Sequence, residues 1–287
     1  MAATLILCIT ILKNTNNMAW FLEILSFPFM QRALLAGAIL GVLLASLGVI
    51  ATLRKMAFFG EGVAHASLAG IAIAILVGFA PLPFAIIWAV IIAILIFVLE
   101  RYTKLPSDSL IGILFTASMA IGVIAMSFTQ GYQPELLSFL FGSILTITFT
   151  DILVIALISS AILVWLARSM RDLTFLSLNE ESAAVQGVAV TAQTLMFYIA
   201  LAVTTVLGVK ILGIILVSAL LVLPPATSRM LSSSFKSYMI FSIVISEFVI
   251  IFGLILSYLW DLPSGAVIVL LGTVFFLLAT LFKAIKK

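Results

Sequence analysis

Charge is scarce in this chain. Asp, Glu, Lys and Arg make up 9% of its 287 residues, against roughly 25% in soluble domains. So few charges cannot cover a water-facing surface. A lone cysteine, Cys8, leaves no intramolecular disulfide and no cysteine metal cluster. The lone histidine, His65, excludes the two-histidine HExxH helix of zinc proteases. Neither GxxxxGK[ST] nor GxGxxG occurs, so any ATP used must be bound by another chain. A nucleophile–base set and a multi-ligand metal set are also missing, which argues against an intramembrane enzyme. The net charge of +3 is scattered beside apolar runs and gives no nucleic-acid footprint.

Apolar length fills the space that charge leaves. Hydrophobic residues are 64% of the chain, and the mean hydropathy is +1.39. In hydrocarbon every backbone N–H and C=O must be bonded internally, so only helices or closed barrels can span. Barrel strands alternate apolar and polar residues, whereas the runs 86–99 and 240–256 are unbroken. The expected fold is all-α, a polytopic membrane helix bundle. A span needs about 20 apolar residues. Candidates lie near 31–53, 60–79, 84–99, 108–128, 149–167, 191–209, 211–226, 237–257 and 263–282. The pair flanking Lys210 could be one bent or broken element, so the count is eight or nine. The stretch 136–148 is too short to span and reads as re-entrant or interfacial.

Basic residues orient the bundle. Eleven of the fourteen Lys and Arg follow alternate spans: Arg54, Lys55, Arg101, Lys104, Arg168, Arg171, Arg229, Lys236, Lys283, Lys286 and Lys287. The opposite loops carry none. Lys13, Arg32 and Lys210 are the exceptions. The eleven mark the cytoplasmic face of a plasma or inner membrane, with a cytoplasmic C-terminus. Residues 1–17 read as an extension or alternative start, and 18–287 as the transmembrane domain, with Met18 near its beginning.

Several segments could carry chemistry. Ala33, Gly37, Gly41 and Ala45 form a small-residue face, suited to packing within the subunit or to a subunit interface. Glu61 and His65, four apart, share a helix face near a helix start. They read either as a cap with a hydrogen-bonded histidine or as a pair lining a pathway, since ionisable groups in a membrane usually face a cavity or partner. Glu247 sits mid-span and must face protein; Lys210, a backbone donor or a transported ion could be its partner. In the loop 168–190, Asn179 is a suitable N-cap, Glu180 and Glu181 suit a first turn, and Gly187 suits a C-terminal cap. A helix over 180–186 follows, either a connector or a docking helix for a partner. Pro224 and Pro225 are expected to end their span. Asp261 reads as a turn or cap residue, and Asp108 as a helix-start residue.

Six segments in order resemble the membrane permeases of the zinc/manganese ABC-importer family. They are RKMAFFGEGVAHASLAG (54–70), SDSLIGILF (107–115), LLSFLFGSIL (136–145), LNEESAAVQGV (178–188), GVKILGIILVSALLVLPPATSRML (208–231) and DLPSGAVIVLL (261–271). The likeness runs from about Met18 to the C-terminus. Many relatives have Asp where this chain has Glu61. The resemblance implies a fold similar to vitamin B12-type ABC importer permeases, with two copies enclosing the path. It implies a cytoplasmic ABC ATPase docking on the 178–188 helix at Asn179, Glu180, Glu181, Ala183 and Gly187. It also implies an extracytoplasmic metal-binding protein that delivers the ion. No tightly bound cofactor is implied, only a transported divalent metal: zinc or manganese, with iron open. His65 matches the family histidine of the AHASL segment, and Glu61 its carboxylate, while Glu247 has no secure counterpart and stays a weaker pathway candidate. The alternatives are an ABC permease for a metal chelate or cofactor, and an ion-coupled secondary transporter.

Overall fold

A computed structural model describes residues 26–103, 105–128 and 147–285, with no strand among them. The expected extension over 1–17, most of the re-entrant segment 136–148 and the motif 136–145 lie outside the described residues. Ten helices are described. They are α1 (Pro28–Leu53), α2 (Phe59–Val77), α3 (Pro81–Thr103), α4 (Ser107–Ser127) and α5 (Phe149–Leu178), then α6 (Glu180–Val185), α7 (Val190–Leu212), α8 (Ile214–Leu231), α9 (Phe235–Trp260) and α10 (Ser264–Ile285). All but α6 are long and apolar enough to cross a bilayer, so the upper of the two expected counts holds among the described residues.

Local chemistry sets the helix ends. Pro28 begins α1, where its missing N–H costs nothing. At the end of α2, Gly78 is left-handed at φ 80°, and the Phe79 N–H donates to the Ala74 carbonyl at 2.9 Å, a closure that favours glycine. Asp261 caps α9 at φ 51°, the turn role expected of it. α7 and α8 are separate helices, broken at Gly213 (φ 81°, ψ 162°), a conformation that a side chain would strain.

Two boundaries differ from the sequence reading. α5 does not stop near 167; its 30 residues run on to Leu178, about 45 Å at the helical rise. That exceeds the roughly 30 Å hydrocarbon core, so its last turns carry α6 clear of the membrane. Pro224 and Pro225 do not end α8, which continues through both to Leu231. A helix tolerates proline where a neighbour covers the freed carbonyl. Here Pro225 has no N–H for the Leu221 carbonyl, and Gly48 of α1 packs directly on that oxygen and on the Pro225 ring.

α1 and α7 are the innermost spans, each with 72% of its apolar stretch buried, against 22% for α5 and α10. One stripe of α1 serves two neighbours. Gly37 and Gly41 lie against Ile250, Ser246 and Glu247 of α9, and Ser246 Oγ donates to the Gly41 carbonyl at 3.2 Å. Gly48, seven residues beyond Gly41 and so on the same side, meets α8. Ala33, Gly37, Gly41 and Ala45 are all buried, which makes this face a packing surface within the subunit.

A Gly48→Leu substitution would force α1 away from the α8 backbone. The expected result is a loss of about 1–3 kcal/mol, read as a lower thermal midpoint of the purified permease in detergent. An unchanged midpoint would mean that this contact does not set the spacing.

Candidate functional site

α2 and α4 start from the same end of the bundle and run parallel. Gly62 meets Ile111 near their first turns, and Gly122 packs against the Ala69 backbone further along. Each helix has an acidic residue in its first turn, Glu61 in α2 and Asp108 in α4, where the N-terminal dipole stabilises a carboxylate. His65 lies one turn beyond Glu61. Together with Phe58, Gly62, Ile111, Gly112 and Phe115 they line a cleft of about 270 Å³, against roughly 30 Å³ for one water. That is space for an ion with part of its hydration shell. The His65 and Phe115 rings are 5.4 Å apart, and His65 Nδ1 is buried with no hydrogen-bond partner among the described residues. Asp108, read as a helix-start residue only, both starts α4 and lines the cleft. Among the described residues of one chain, no three His, Cys, Asp or Glu side chains are grouped closely enough to hold a metal ion.

Glu247 does not line this cleft. It lies on the α1–α9 seam, its Oε1 buried against Gly41 with no hydrogen-bond partner among the described residues. Lys210 does not reach it. Instead Lys210 Nζ forms an ion pair with Asp151 at the start of α5, far along the sequence but beside the C-terminal end of α7. Asp151 also closes a capping box, accepting from the Thr148 N–H at 3.1 Å while its own N–H donates to Thr148 Oγ1 at 3.2 Å. Sequence reasoning passed over Asp151, although Thr-x-x-Asp ahead of an apolar run is a legible capping signal.

At the other face α6 forms where expected. Asn179 Oδ1 accepts from the Ser182 N–H at 2.9 Å, and Glu180 and Glu181 occupy the first turn. Ala183 is fully buried. Gly187 follows at φ 82°, and the Val188 N–H closes onto the Ala183 carbonyl at 3.1 Å. The outward side carries apolar Leu178 and Val185, 77% and 90% exposed. Glu180 has an internal partner that spacing could not reveal, Arg54, at 3.0 Å.

A helix bundle with nine spans among the described residues, a small polar cleft between parallel spans and a short helix held outside the bilayer has the architecture of a membrane permease subunit. Residues 26–283 match the ABC 3 transport family, and the chain belongs to that family. It is 31% identical to the high-affinity zinc uptake system membrane protein ZnuB of Haemophilus influenzae, over 90% of this chain and 98% of that one. It is likewise 31% identical to the manganese transport system membrane protein MntC of Halalkalibacterium halodurans, over 93% and 92%. Among solved structures it superposes on a chain of PsaBC from Streptococcus pneumoniae in complex with Fab, with a TM-score of 0.79 at 28% identity, covering 91% and 95%. The chain is thus the membrane permease of an ABC transporter, not an enzyme, and ATP hydrolysis belongs to a separate subunit. Membership removes the lone secondary transporter from the alternatives.

The Lys210–Asp151 pair gives a direct test of the end of the bundle opposite α6. Lys210→Met leaves Asp151 without its cation and should cost about 1–2 kcal/mol, since the pair is only partly buried. Adding Asp151→Asn should recover part of that loss. A double variant less stable by the sum of the single effects would show that the two residues act independently.

Proposed function

We propose that this permease imports a divalent transition metal ion, zinc, manganese or iron, by alternating access driven by a cytoplasmic ABC ATPase. The observation that carries this reading is the cleft, lined by one imidazole and two carboxylates between spans that lipid alone would leave apolar. Imidazole and carboxylate together suit zinc, manganese and ferrous ion. Two copies of the chain would enclose the path, so that a second cleft adds the donors that one chain lacks. Similarity to relatives named for zinc uptake and for manganese transport supports the same class of ion.

The face bearing Arg54, Arg101, Arg229 and Lys283 is cytoplasmic by charge, and it contains α6 and the C-terminus. The ATPase docks on α6, where Glu181 and Val185, with Leu178 at the end of α5, stand exposed beyond the bilayer. An extracytoplasmic metal-binding protein delivers the ion at the opposite face. Lining residues are His65 and Glu61, with Asp108 added. Glu247, half-buried on the α1–α9 seam and outside the cleft, stays the weaker pathway candidate.

His65→Ala should lower uptake of radiolabelled zinc and manganese by roughly tenfold or more, because loss even of a residue that only orients a metal ligand costs that much. The ATPase should still co-purify. Wild-type uptake would remove His65 from the path. Separately, Glu181→Lys with Val185→Asp should reduce co-purification of the ATPase with the permease, and full recovery of the complex would move the docking site away from α6.

A further inference from the structure

Arg54 is the C-cap residue of α1, yet its side chain is only 8% exposed, while that of its ion-pair partner Glu180 is 56% exposed. Its guanidinium bridges two helices, α6 and α7. Nη2 donates to Glu180 Oε1 on α6 at 3.0 Å, and Nη1 donates to Thr194 Oγ1 on α7 at 3.3 Å. The charge also lies over the Tyr198 ring, 5.8 Å from its centre. Tyr198 follows Thr194 by one helical turn and continues the chain of contacts. Its hydroxyl donates to Glu100 Oε2 of α3 at 2.6 Å, and Glu100 Oε1 accepts from Ser107 Oγ at 2.5 Å. Ser107 is the first residue of α4, and the next, Asp108, lines the cleft. Phe59, the first residue of α2, packs on the same tyrosine with ring centres 5.3 Å apart, and its neighbour Phe58 also lines the cleft. Both walls of the cleft therefore begin on Tyr198, and Tyr198 is tied to α6 through Arg54.

The backbone between Arg54 and the cleft is short and held. Lys55 turns in the left-handed region at φ 59°, and the Met56 N–H closes onto the Ala51 carbonyl at 2.9 Å. Met56 itself is buried. A linker fixed in this way passes on a displacement that a slack loop would absorb. Arginine suits the position because its planar fork can hold a carboxylate and a hydroxyl together, which a lysine ammonium on a flexible stem does poorly.

We propose that Arg54 is a coupling residue, which ties movement of α6 to the starting turns of α2 and α4 and so to the shape of the cleft. The proposal rests on the reading that the ATPase docks at α6. A static brace would need the same contacts, but it would differ in what fails when they are cut. Loss of a brace lowers stability, assembly and hydrolysis together. Loss of a coupling contact leaves the ATPase bound and hydrolysing while less metal crosses per ATP.

The experiment uses the complete transporter, permease with its ATPase and binding protein, reconstituted in liposomes and supplied with ATP and radiolabelled zinc or manganese ion. Arg54→Lys, Glu180→Gln and Tyr198→Phe each keep side-chain bulk while removing one contact. We expect the amount of metal moved per ATP hydrolysed to fall by roughly tenfold in Arg54→Lys and in Glu180→Gln, the order set by one hydrogen bond to a charged group. A smaller fall is expected in Tyr198→Phe. Assembly and the thermal midpoint should hold in all three. The Arg54→Lys/Glu180→Gln double variant should be no worse than the worse single, since both cut the same link. A wild-type ratio in the three single variants would overturn the proposal. So would additive losses in the double variant, or a parallel fall of assembly, hydrolysis and transport. Failure of the wild-type ATPase to cross-link to cysteines placed on α6 would instead sink the docking reading.

Discussion

Between the Cα of Gly48 and the carbonyl oxygen of Leu221 there is no space for a methyl group. Pro225 withholds the N–H that this carbonyl would otherwise accept, so the oxygen is left turned toward α1 at a depth where water cannot reach it. A bilayer makes an open backbone acceptor costly. A bare glycine resolves the conflict by letting helix approach helix until the freed carbonyl is covered. The same stripe, at Gly37 and Gly41, lets α9 come close enough for Ser246 to bond the α1 backbone. With no hydrophobic drive between helices in lipid, close packing and such bonds must hold spans together. α1 can be central because it is thin along that line, and the positions of α8 and α9 follow from it.

The few charges are arranged by the same constraint. Arg32 and Lys210 break the one-sided distribution of basic residues, and both are tethered at the start of α5. Arg32 donates to the Ile147 carbonyl at 3.3 Å, and Lys210 pairs with Asp151. A cation on the wrong face is accommodated when protein supplies its partner. At the basic face Arg54 is drawn inward, away from solvent, and its partners span α6 and α7. Ion pairs thus tie the bundle at both rims, while the middle is held by small residues and hydroxyls.

How much of this could be read from residues alone depended on range. The bilayer, the nine apolar spans and the α6 cap are legible because each is encoded within a few residues: a long run, an Asn179 before two acids, a glycine after the last turn. The fate of Pro224 and Pro225 is not local, since it turns on a glycine more than 170 positions earlier in the chain. Pairing of Lys210 with Asp151 rather than Glu247 is equally a matter of which helices are neighbours. Glu61 and His65 are legible as a shared face, four residues apart. Asp108 joins them only because α2 and α4 run parallel from one end, which spacing cannot convey.

That parallel arrangement also bears on how firmly the cleft could hold a cation. Glu61 and Asp108 each sit in the first turn of a helix, whose amino end carries about half a positive charge. The positive helix ends beside both carboxylates therefore oppose part of the field these groups present to a metal ion. One imidazole and two carboxylates, too spread within a single chain to close around an ion, would give an affinity well below that of a structural metal site. For a permease this is an advantage. An ion chelated by a complete shell would have to break that shell at every crossing, whereas a partial shell on two helix ends can be disrupted by a small shift of those ends. On the proposed reading, weak and divided coordination lets movement at α6 release the ion.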